Sequence, residues 1–127
     1  MAKEYGMEQG SSMDLRNGWD FGKKEDRETA REKLKEERPK LLIGSPECRM
    51  FSQLQRMNPR RDSEEWKRQH AEACLHVQFC CELYREQINR GGYVLHEHPF
   101  GASSWKLQCI HEIMNMNGMI KVCADQC

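Results

Sequence analysis

Leu41-Leu42-Ile43-Gly44-Ser45-Pro46-Glu47-Cys48-Arg49-Met50-Phe51-Ser52 is the stretch that decides how this chain folds. Leu-Leu-Ile without alternation predicts a parallel strand over 40–44, buried on both faces. Gly44-Ser45-Pro46 then breaks the strand, and one cysteine follows at its carboxyl end. Open α/β sheets place their chemistry outside the carboxyl ends of the strands. A second run, Tyr93-Val94-Leu95-His96-Glu97-His98-Pro99, predicts a strand that ends on an acid. If the two strands are neighbours, Cys48 and Glu97 form a nucleophile-and-acid pair.

The flanking sequence supports this frame. From Lys24 to Arg38 nearly every residue is charged, with Ala30 and Leu34 as a thin apolar stripe; this predicts a solvated helix ended by Pro39. A loop follows the first strand to about Arg61. Asp62-Ser63-Glu64-Glu65 puts acids in the first turn of a helix that runs to about Arg90. Trp66, His70, Ala73, Cys74, Val77, Cys81, Tyr84 and Ile88 recur at helical spacing and predict its buried face. Gly91-Gly92 supplies the left-handed stop. Ser103-Ser104 predicts the cap of a third helix, with Trp105, Ile110, Ile113 and Met114 inward and Asn117-Gly118 as its end. Met119-Ile120-Lys121-Val122-Cys123 predicts a last strand. Helix and strand alternating three times argue an α/β domain with a mostly parallel sheet and right-handed crossovers.

A chain of 127 residues holds one domain at most, or a piece of one. Residues 1–22 lack periodicity and predict a poorly ordered N-terminal segment, with the folded domain spanning 23–127. Twenty basic residues balance 20 acidic ones, so net charge argues for neither nucleic acid nor membrane. No run approaches the length of a membrane span and no signal-peptide core is present, which predicts an intracellular protein with no membrane partner. The 7 cysteines are an odd number, so reduced thiols are expected rather than a disulfide framework.

Local charge is more informative. Arg49, Arg56, Arg60 and Arg61 occur with no acid between them. Guanidinium groups fit phosphates, hydroxyls such as Ser52 reach phosphate or base edges, and a ring such as Phe51 can stack on an unpaired base. These six residues are the candidate nucleic-acid contacts. A thiol is nucleophilic as thiolate, which neighbouring positive charge favours; Arg49 supplies that charge and Glu47 acts against it. For Cys48 the competing reading is a small buried hydrophobe, and for Glu97 a solvated loop acid. His70/Cys74 and His76/Cys80 have the i,i+4 spacing that can share zinc, but no C-x-x-C pair accompanies them. No metal site is expected, and a core role suits His70 and Cys74 better.

Gly44-Ser45-Pro46-Glu47-Cys48 with Phe51-Ser52, followed one helix later by Glu97-His98-Pro99, resembles the cytosine-5 DNA methyltransferase family. There a Gly-x-Pro-Pro-Cys turn carries the nucleophile and a Glu-Asn-Val strand end binds the cytosine ring. The fuller pattern, from Asp14-Leu15 and Gly18-Trp19-Asp20-Phe21 to Ser104-Trp105, looks like a divergent group associated with retroelement polyproteins. The resemblance implies a partial Rossmann-like, methyltransferase-type three-layer sandwich acting on DNA. It implies Cys48 as nucleophile on C6 of a flipped cytosine, Glu97 on the ring nitrogen, and S-adenosylmethionine as cofactor, with Asp14 and Asp20 as its candidate contacts. Glu47 and His98 depart from the family's proline and asparagine. The glycine-rich cofactor loop would precede Met1, so the chain reads as a fragment. The alternative is a non-catalytic nucleic-acid-binding or scaffold piece of a mobile-element protein, resting on the basic loop. A thiol or zinc module is the third reading.

Overall fold

The computed structural model describes residues 21–123. The chain divides into two compact units between Lys40 and Leu41. In the first, α1 spans Lys24–Glu37, with Glu25 and Asp26 in its first turn, where the helix dipole favours negative charge. Ala30 and Leu34 are its buried positions, as the stripe predicts. The residue before a proline is steered away from the right-handed helical region. Arg38, which precedes Pro39, accordingly takes a left-handed conformation (φ 44°) and donates its N–H to Leu34 O at 3.1 Å.

The second unit contains β1 (Leu41–Gly44), α2 (Glu64–Asn89), β2 (Tyr93–His96) and α3 (Gln108–Met114). The strands pair in parallel, Leu41 with Tyr93 through Gly44 with His96. Helices together with a two-stranded parallel sheet place this unit in the α/β class. Ser63 caps α2, its Oγ accepting from Trp66 N at 3.2 Å. At the other end, Gly91 N–H reaches Ile88 O and Gly92 N–H reaches Gln87 O, at 2.9 and 3.0 Å. That pair of bonds closes a Schellman motif, and Gly91 carries its required positive φ of 87°.

One face of the sheet packs on α2. Leu42 and Val94 lie against a core of Phe51, Val77, Cys81, Tyr84, Ala102, Ile110 and Ile113. The other face is open: Leu41, Ile43 (61% exposed), Tyr93 (74%) and Leu95 all show to solvent. The unbroken apolar run therefore does not mean cover on both faces among the described residues; the strand alternates. Within α2, Phe79 and Gln87 are also buried, positions the periodicity missed, while Trp66, His70 and Ile88 are half-buried.

The third strand does not form. Met119 packs against the core, but residues 119–123 are irregular, with Ile120 83% exposed and Val122 also exposed. A strand needs a neighbour to satisfy its backbone, and the described sheet has two strands only. The third helix is also shorter than expected. A 3-10 turn over Ser103–Lys106 precedes α3, which buries Ile110 and Ile113 and leaves Met114 exposed.

Candidate active site

Parallel pairing brings the two turns that end the strands side by side. The ladder continues one residue past β2, Glu97 N–H donating to Gly44 O at 2.9 Å. The Glu97 carboxylate then accepts from Ser45 Oγ–H at 2.8 Å. Turn one thus holds the acid of turn two. Cys48 lies three residues further, half-buried, where the chain enters a 3-10 turn over Arg49–Phe51. Its carbonyl accepts the Phe51 N–H at 2.9 Å.

A buried histidine locks the two turns together. His98 Nε2 lies 3.0 Å from Pro46 O, and its Nδ1 bonds Ser104 Oγ. A carbonyl only accepts, so Nε2 carries the proton and Nδ1 accepts from the serine hydroxyl. One neutral ring thereby joins the turn after β1, the turn after β2 and the 3-10 turn before α3. Burial pushes the His98 pKa down, outweighing the bond to Pro46 O that favours the charged ring.

His96, half-buried, forms a second link. Its Nδ1 lies 2.7 Å from Tyr84 Oη, tying β2 to α2. Its Nε2 is buried without a hydrogen-bond partner among the described residues. Burial, with a smaller contribution from nearby His98, pushes its pKa down from 6.5 to about 4. Gly44 makes room for this link, because a Cβ there would overlap the Tyr84 hydroxyl. Trp105 closes the cluster edge-on to His96, its Nε1–H donating to Pro99 O at 2.8 Å. Residues two apart along an extended chain share a face, and the His96 and His98 rings meet at 5.2 Å. From sequence Ser104 reads as a helix cap, and the His98 ring has no role. The dense His-Glu-His-Pro run was the available signal, but its partners lie 52 and 6 residues away.

The candidate nucleic-acid contacts divide into two groups. Arg49, Arg56, Arg60 and Arg61 are exposed. Phe51 is only 1% exposed and cannot stack on a base. The tight turn after Cys48 aims its ring inward, against His70 at 5.6 Å and His98 at 6.0 Å. Ser52 is used locally, its Oγ accepting from Leu54 N at 3.2 Å to cap a second 3-10 turn over Gln53–Met57. Gln55 anchors this segment by accepting the Trp66 Nε1–H at 2.9 Å and donating to Arg49 O at 3.0 Å. Arg61 lies over the Trp66 ring, 5.8 Å from its centroid.

Asp14 and Asp20, the candidate cofactor contacts, lie outside the described residues. Among the described residues no group of three or more His, Cys, Asp or Glu is arranged to hold a metal ion. The His70–Cys74 pair is a 3.8 Å contact in which His70 also stacks on Trp66. No described helix is long and apolar enough to cross a membrane. No family model, curated protein or solved structure matches this chain.

Proposed function

We propose that this chain is part of a cytosine-5 DNA methyltransferase-like domain, in which Cys48 attacks cytosine C6 and Glu97 holds the ring. The observation that carries the reading is the Ser45–Glu97 hydrogen bond between parallel strand ends. It orients the carboxylate beside the turn that bears the cysteine. Catalysis of this kind rests on fixed geometry between nucleophile and ring-binding group, and His98 supplies a rigid frame for both turns. A carboxyl group at this place hydrogen-bonds the ring nitrogen and draws electron density from C6, which prepares it for thiolate attack. The base must leave its duplex stack to reach both groups. S-adenosylmethionine would supply the electrophilic methyl group.

The open apolar face of the sheet supports the finer fold reading. Parallel sheets are normally covered on both faces. A Rossmann-like three-layer sandwich would cover Leu41, Ile43, Tyr93 and Leu95 with a second helical layer.

The test is covalent trapping. Protein that includes this chain and the complete cofactor site is incubated with S-adenosylmethionine and a duplex carrying 5-fluorocytosine. A denaturation-resistant adduct on Cys48 is expected, and none with Cys48→Ser. Equal trapping by the parent and Cys48→Ser would overturn the mechanism.

A second reading, a non-catalytic nucleic-acid-binding piece, draws on the four exposed arginines of the 49–61 segment. Salt-dependent DNA binding that survives Cys48→Ala and Glu97→Ala, with no trapping by the parent, would favour it.

A further inference from the structure

The core between α2 and α3 is rich in thiols. Cys81 is buried in it, and Cys74, Cys80 and Cys109 pack around it. Cys109 enters from α3, within electrostatic reach of all three α2 cysteines. Cys81 is the one of those three that lies in the buried cluster itself, against which Cys109 packs. Helix geometry removes most of the possible pairings. Cys80 and Cys81 are adjacent, so their Cα atoms lie about 3.8 Å apart, below the disulfide range. Cys74 stands about 9–10.5 Å along the helix from Cys80 and Cys81, beyond that range. Any disulfide within this cluster must therefore use Cys109.

We infer that Cys81 and Cys109 are a redox-active pair that closes into a reversible disulfide between α2 and α3 under a hydroperoxide oxidant. Cys109 is half-buried and Cys81 almost fully buried, so the oxidant meets Cys109 first. Burial also pushes the Cys80 thiol up to about 12 and raises that of Cys81, keeping both protonated until a partner arrives. The Cys109 sulfur attacks the peroxide, the O–O bond breaks, and an alcohol (or water) leaves as the sulfenic acid forms. The Cys81 sulfur then attacks that sulfur, the S–O bond breaks, and water departs with the Cys81 proton. Two electrons have passed from two thiols to one peroxide, and a dithiol reductant reverses the change. The clip would anchor α3 close behind the turn that presents Ser104 to His98.

The test treats the full chain with one equivalent of tert-butyl hydroperoxide, blocks the remaining thiols with N-ethylmaleimide and maps peptides without reduction. The expected product is a cross-linked pair whose fragment ions place the bridge on Cys81 and Cys109. The oxidised protein should melt about 5–10 °C higher than the reduced one, and Cys109→Ser should show no such rise. Recovery of Cys109 alkylated, over-oxidised, or bridged to Cys74, Cys80, Cys123 or Cys127 would overturn the proposal. The readout needs neither DNA nor methyl donor, so it stands or falls apart from the proposed activity.

Discussion

The strand-end turns and the basic segment that follows them are neighbours in sequence but are built on different terms. The turns are tied to each other by Glu97, half-buried, bonding to Gly44 and Ser45, and by buried His98, which bonds to Pro46 and Ser104. The segment from Gln53 to Arg61 is held mainly by bonds of short sequence span, with Gln55–Trp66 as its tether to α2. It leaves Leu54 and Met57 exposed. A buried hydrogen bond is costly to leave unmade, whereas an exposed one exchanges with water at little cost. The placement of Cys48 and Glu97 therefore depends on the histidines beneath the turns. The arginine segment can vary without moving either residue.

His98→Ala should show the largest effect. It strips partners from Pro46 O and Ser104 Oγ and leaves a cavity, at a cost of about 4 kcal/mol. Chemical denaturation would measure it, and a loss within 1 kcal/mol would place the rigidity of the turns elsewhere. Gly44→Ala comes next. Its Cβ must displace the Tyr84 hydroxyl and disturb the bond to His96, costing about 3 kcal/mol.

Acid should weaken the same region. Both histidines bind protons less readily folded than unfolded, so the unfolded chain holds more protons below the ordinary value of 6.5. Stability is then complete above about pH 6.5 and falls as pH drops toward the folded His96 value of about 4. Melting temperatures across that window should decline, and His96→Phe should flatten the decline. The smallest stability effect belongs to the basic segment. Arg56→Ala with Arg60→Ala should change stability by no more than about 0.5 kcal/mol. On the proposed function it should lower the salt slope of DNA binding by about 2. A stability loss as large as that of Gly44→Ala would erase the contrast between the two regions.

Much of this frame was legible in the sequence because its signals are local. Ser63 with Glu64 and Glu65 marks where α2 begins, and Gly91-Gly92 marks where it ends. The two apolar runs, with a helix between them, give adjacent parallel strands. Three features escaped because they depend on distant partners. Residues 119–123 have strand composition but no neighbouring strand among the described residues. Phe51 looks like an exposed loop aromatic until the 3-10 turn after Cys48 rotates it into the core. The His98 clamp joins residues that no short window contains. The pair itself was half legible: sequence placed Cys48 and Glu97 at neighbouring strand ends, and the structure adds Ser45 as the residue that orients Glu97.

The most direct measurement is the tautomer and titration of His98, read from long-range 1H–15N correlations on the uniformly 15N-labelled chain. A clamp between the two turns predicts a single neutral form with the proton on Nε2, titrating below the ordinary histidine value. A ring that exchanges between tautomers and titrates near 6.5, like an exposed histidine, would contradict the account.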